Sequence, residues 1–98
     1  MEIIKNKTEN TLEVALQGRL DTTTAPQLEA VVTGELTGVE VLTFDFSKLE
    51  YVSSAGLRVL LAAQKTMNKQ GKMVIKNVCE EIMEVFDITG FADILTIE

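Results

Sequence analysis

The 98-residue chain has no histidine and one cysteine, Cys79. Without histidine it lacks the usual general base, the serine–histidine nucleophile pair and the commonest metal ligand. A lone thiol excludes an intrachain disulfide and a thiolate metal cluster, and Cys79 reads as a small packed residue. Basic residues are outnumbered, nine against fifteen acidic ones, for a net charge of -6. Such a surface repels phosphate backbones, so neither nucleic acid nor an anionic membrane is expected as a partner. No apolar run approaches membrane-spanning length, and Met1-Glu2-Ile3-Ile4-Lys5 lacks the long apolar stretch of a signal peptide. A cytoplasmic location is the expectation. Linkers, internal repeats and low-complexity segments are also missing, so residues 1–98 are expected to form one domain.

What is present is enough apolar material for a single core, 46% of residues. Leu12, Val14 and Leu16 alternate with Glu13, Ala15 and Gln17, the period of a strand with one buried face. Ile3-Ile4 reads as a shorter strand, joined through the polar stretch Asn6 to Asn10, and the short connection makes the pair antiparallel. Gly18 breaks the pattern. Thr24 and Gln27 have capping-box spacing and Pro26 falls in the first helical turn, so a helix follows with Leu28, Val31, Val32 and Leu36. Val41 to Phe46 predicts a central strand, and Ser47 to Ser53 a loop leading to a helix from about Ala55 to Gln70. That helix presents Leu57, Leu60, Leu61 and Met67 on one broad face, and Gly71 stops it. Met73-Val74-Ile75 predicts a buried strand. Asn77 and Glu80 repeat the capping-box spacing before a third helix with Ile82, Met83 and Phe86, which Gly90 ends. Ile94 to Ile97 predicts a last strand. The order ββαβαβαβ implies an α/β fold with a mixed, mostly parallel sheet and helices on one side or both.

Ser53-Ser54-Ala55-Gly56-Leu57 carries the chemistry worth weighing. Free N–H groups and the dipole at a helix start stabilise negative charge. Gly56 removes a side chain next to Ser54 and lets another backbone come close. A phosphate on Ser54 would add about −1.5 to −2 charges at pH 7, tolerated by the helix end but able to block a partner. The plainer reading is that a serine before a helix is an N-cap and nothing more. Two adjacent serines allow one to cap and the other to stay exposed. A serine nucleophile is disfavoured, since the flanking glycines of a nucleophile elbow and any activating histidine are missing. Gly18-Arg19-Leu20-Asp21 is not a phosphate-binding glycine loop, and no motif of paired catalytic carboxylates is recognisable. Neither an enzyme nor a cofactor site is expected.

Two segments together resemble one known family. Gly18-Arg19-Leu20-Asp21-Thr22-Thr23-Thr24-Ala25-Pro26 is similar to the strand-to-helix signature of the STAS domains, named for sulfate transporters and anti-sigma factor antagonists. Phe44-Asp45-Phe46-Ser47-Lys48-Leu49 followed by Tyr51-Val52-Ser53-Ser54-Ala55-Gly56-Leu57 resembles that family's phosphorylation turn. The resemblance covers essentially the whole chain, and the order of elements agrees with it. It implies an anti-sigma factor antagonist, which binds an anti-sigma factor that is also a serine kinase and so frees a sigma factor. The kinase phosphorylates the antagonist and ends the binding, and a serine phosphatase restores it.

The resemblance places the phosphoacceptor on Ser54, two positions before Gly56, and implies a partner surface of Asp21, Thr23, Ser53, Ser54, Gly56 and Arg58. Asp21 shapes that surface or holds the acceptor loop, or is simply a turn aspartate bonding its own backbone. Arg58 lies off the apolar face, as a partner contact or a solvated helix arginine. Where the family often has aspartate before the acceptor, this chain has Ser53, which is the alternative acceptor. The other function the fold allows is a scaffold or sensory-assembly STAS domain whose binding ignores the state of the serine.

Overall fold

A computed structural model describes all residues, 1–98. Its order is β1 (Glu2–Thr8), β2 (Thr11–Leu20), α1 (Ala25–Glu35), β3 (Val41–Val52), α2 (Ser54–Gln70), β4 (Lys72–Lys76) and α3 (Glu80–Thr89), then a short 3₁₀ turn at Phe91–Asp93. The sheet runs β1-β2-β3-β4, with the first pair antiparallel and the other two parallel. This is the expected α/β fold with a mixed, mostly parallel sheet.

Alternation decides which face is covered. Leu12, Val14 and Leu16 of β2 meet Leu42, Phe44 and Phe46 of β3, and Met73 and Ile75 of β4, in one core with Leu28, Leu60, Met67, Ile82 and Phe86 of the helices. All three helices therefore lie on one face. Phe44 and Phe46 pack at a centroid distance of 5.9 Å and a tilt of 59°, worth about 0.5–1.5 kcal/mol beyond their buried area. The opposite face carries Glu13, Thr43 and Asp45, with Ile4 exposed.

Several elements depart from the sequence expectations. β1 extends through the polar residues to Thr8, because a tight turn with Glu9 at φ 54° brings Lys7 opposite Leu12. β2 does not end at Gly18: that residue, at φ 96°, sits at a register shift and the strand runs on to Leu20. Ser47 to Val52 is strand rather than loop. The two register shifts against β2 interrupt the alternation by which a strand is read, leaving Ser47, Lys48, Glu50 and Tyr51 exposed while Leu49 and Val52 stay buried.

The capping boxes are absent. Thr24 is the N-cap of α1 without a side-chain capping bond, and α3 starts from Cys79, not Asn77. Asn77 has φ 61° and donates from Nδ2 to Asp45 Oδ1 at 3.0 Å, so its side chain ties the β4–α3 loop to β3. The last strand is missing. Ile97 makes one parallel bridge with Ile75, where Ile75 N–H donates to Thr96 O and Glu98 N–H to Ile75 O. On α2, Leu61 is only half-buried, whereas Val59, Ala63 and Gln64 are buried, because this helix packs on α1 as well as on the sheet.

Gly71 ends α2 as expected, for a steric reason. A Cβ there would lie 1.8 Å from Glu40 O, the oxygen that accepts the Lys72 N–H at 2.9 Å. Gly90 ends α3 at φ 82°, in the left-handed region that favours glycine. No helix is long and apolar enough to cross a membrane.

Candidate functional site

β2 and β3 are parallel neighbours, so their following turns leave from one edge of the sheet. The residues after Leu20 and after Val52 must therefore meet. They do so through the Ser53 N–H, which donates to Leu20 O at 2.8 Å.

The first turn is built around Asp21 and Thr24. Asp21 Oδ1 accepts from the N–H groups of Thr23 at 3.0 Å and Thr24 at 3.1 Å. Its own carbonyl accepts from Ala25 N–H at 2.8 Å. Thr24 Oγ1 donates back to Arg19 O at 2.7 Å and accepts the Asp21 N–H at 2.8 Å. The Thr24 N–H bond, ahead of the other contacts, holds the Asp21 carboxyl below its ordinary value. Of the readings left open for Asp21, the local one is what the bonds describe. Its carboxylate fixes its own turn and makes no hydrogen bond to Ser53 or Ser54. Arg19 stands 3.7 Å from Asp21 Oδ2 and lies over the Tyr51 ring, 4.2 Å from its centroid.

The second turn divides its two serines. Ser53 is the N-cap of α2, at φ −93° and ψ 175°, and its Oγ accepts the Gly56 N–H at 3.4 Å. Ser54 is the first helical residue, and its exposed hydroxyl is not committed to any bond within the chain. Gly56 is buried against the first turn. A Cβ on it would lie 2.6 Å from Leu20 Cγ and 3.2 Å from Leu20 O. Glycine is therefore needed here for close approach between α2 and the end of β2.

Beside Ser54 a shallow cleft of about 190 Å³ opens between the starts of α1 and α2, lined by Thr22, Ala25, Pro26, Glu29, Ala55, Arg58 and Val59. Ala25, Pro26, Ala55 and Val59 supply its apolar lining, and Glu29 and Arg58 its charge. Asp21 and Thr23 lie on the first turn, Ser53 and Ser54 on the second, Gly56 beneath the surface at the start of α2, and Arg58 one helical turn beyond Ser54. Sequence reasoning missed the cleft walls from α1 and the Arg19–Tyr51 stacking. Parallel pairing of β2 with β3 was the signal that could have found them, since it brings both turns to one edge. No group of three or more His, Cys, Asp or Glu side chains is placed to hold a metal ion.

Comparison with known proteins agrees with this architecture. An anti-sigma-B factor antagonist of Bacillus subtilis is 34% identical over 91 residues, which make up 91% of this chain and 83% of that protein. An anti-sigma factor antagonist from Mycobacterium paratuberculosis superposes with a TM-score of 0.87 at 21% identity, covering 98% of this chain and 83% of that one. The Bacillus cell fate determinant SpoIIAA in its phosphorylated form gives 0.78 at 19% identity, covering 99% and 91%. The two structures speak to the fold, and the family model for the STAS domain matches residues 2–98. With one-faced sheet, paired turns and family match in agreement, the chain belongs to the STAS domain family.

Proposed function

We propose that this protein is an anti-sigma factor antagonist controlled by phosphorylation of Ser54. Like its relatives it is a regulatory protein rather than an enzyme. Unmodified, it binds an anti-sigma factor that is also a serine kinase and so releases a sigma factor. In the transfer, the Ser54 oxygen bonds the γ-phosphorus of ATP as the bond to ADP breaks, and the hydroxyl proton passes to a base on the kinase. A serine phosphatase reverses the change.

The division of the two serines carries this reading. Ser53 Oγ is spent on the helix cap, while Ser54 projects from the first turn of α2 with a free hydroxyl. A phosphate there sits at a helix start, where the dipole favours it, so the carrier stays folded while its surface changes. The partner surface comprises Asp21, Thr23, Ser53, Ser54, Gly56 and Arg58, with Gly56 acting by close packing. SpoIIAA, which shares this fold, is known in unphosphorylated and phosphorylated forms.

The test is a pull-down from the native host with wild type, Ser54→Ala and Ser54→Asp as baits. The kinase should come down with the first two and not with the third. Mass spectrometry after incubation with that kinase and ATP should place the phosphate on Ser54. Phosphate on Ser53 instead would move the acceptor, and capture unaffected by Ser54→Asp would favour a scaffold.

A further inference from the structure

Arg58 follows Ser54 by four residues on α2, the spacing that stacks two side chains on one face of a helix, with Cβ atoms about 5–6 Å apart. Long helical side chains lean toward the N-terminus, over the preceding turn. Arg58 lines the cleft together with Ala55, the residue that follows Ser54. Both Ser54 and Arg58 are exposed. The chain's ion pairs are Lys5 with Glu35 and Arg19 with Asp21, so Arg58 has no carboxylate partner. Glu29 stands on the other wall of the same cleft without pairing to it. The first turn of α2 contains no acidic residue, and the helix's other charges, Lys65 and Lys69, lie further along it.

We propose that Arg58 is the receptor for the phosphate on Ser54: modification draws its guanidinium back along the helix, out of the cleft wall and onto the phosphate. The proposal rests on Ser54 being the acceptor and adds how the modification is transmitted. A planar guanidinium matches two phosphate oxygens at once, which a lysine cannot do. In the unmodified chain the cleft offers one acid from α1 and one base from α2. Once Arg58 is captured, the cleft keeps Glu29 alone and loses its cation. The phosphate then changes the surface twice, by its own bulk and charge and by removing the basic group that a partner would meet beside it. Arg58 is a positioning residue in this scheme, acting through the phosphate it holds.

The test needs neither kinase nor partner. Phosphoserine is incorporated at position 54 during synthesis, and its second ionisation is followed by ³¹P NMR in the wild-type, Arg58→Gln, Arg58→Lys and Lys65→Gln backgrounds. The charged groups of the cleft and of the neighbouring turn are Arg58 from α2, Glu29 from α1 and the Arg19–Asp21 pair at the end of β2. A cation at Arg58 favours the dianion, so this pKa should lie below that of the Arg58→Gln chain by about 0.2–0.4 unit. Arg58→Lys should keep part of that difference, and Lys65→Gln should leave the wild-type value unchanged. The Arg58 side-chain N–H signals should shift when the phosphate is present. Equal pKa values in wild type and Arg58→Gln overturn the capture and leave the Ser54 switch standing. Failure of that switch is read separately, by mass spectrometry after the kinase reaction.

Discussion

Replacing Gly56 by alanine sets two opposed effects at one position, and Gly34 supplies the control. Both glycines lie in helices, Gly34 near the end of α1 and Gly56 in the first turn of α2. Alanine in a helix is favoured over glycine by up to about 1 kcal/mol. At Gly34 a Cβ meets nothing within 4 Å, so only that gain remains. At Gly56 the same atom lies 2.6 Å from Leu20 Cγ and 2.9 Å from Cδ2. Leu20 is fully buried, and the closer contact is with its branching carbon, so the helix start must move instead. Overpacking of this kind costs about 1–3 kcal/mol. Gly34→Ala should therefore stabilise the chain and Gly56→Ala destabilise it, with a gap of about 2 kcal/mol. For a domain of this size that is roughly 8–16 °C in Tm. Thermal unfolding by circular dichroism, backed by urea midpoints, measures it directly. If Gly56→Ala gained as much stability as Gly34→Ala, the close approach of α2 to Leu20 would be refuted.

Two further outcomes follow from the turns. Ser53→Ala should lower stability by about 0.5–1 kcal/mol through loss of the cap, whereas Ser54→Ala should stay within about 0.5 kcal/mol of wild type. Equal losses in urea unfolding would contradict the division between the serines. The second outcome concerns acid. Asp45 accepts from Asn77 Nδ2 and from the Ser47 N–H, and the Asn77 bond first, then Ser47, keeps its carboxyl below the ordinary 3.8. A depressed carboxyl stabilises the fold above its unfolded value, and that contribution fades as pH falls from about 3.8 through the lower folded value. Asp45→Asn should make stability fall less steeply with pH over that window, and an unchanged slope in acid unfolding would argue against the Asp45–Asn77 tie.

How much the sequence disclosed depended on the range of the interactions involved. Leu12, Val14 and Leu16 announced β2, and Leu57, Leu60 and Met67 one side of α2, because alternation and helical spacing are local patterns. The extension of β3 to Val52 was illegible, since its pairing with β2 passes through register shifts that hide alternation. Thr24 and Asn77 looked like capping residues by spacing, yet their side chains bond Arg19 O and Asp45, partners set by the fold. Ser53 and Ser54 could be told apart because capping is itself local. The cleft between Glu29 and Arg58 was not legible, as its walls come from two helices separated by all of β3.

The bond from the Ser53 N–H to Leu20 O has a consequence for the order of folding. Against β3, every residue of β2 except Leu16 pairs with one that lies beyond a whole helix, from Thr11 with Val41 to Leu20 with Val52. Such pairings form late and slowly, because the loop between them must close before they gain anything. The β1–β2 hairpin can form from neighbouring residues, but the anchored start of α2 cannot. Under the proposed Ser54 switch, a nascent or partly unfolded chain therefore carries the acceptor in its sequence without the turn that presents it, so a kinase that reads the turn would act on finished molecules and pass over unfinished ones.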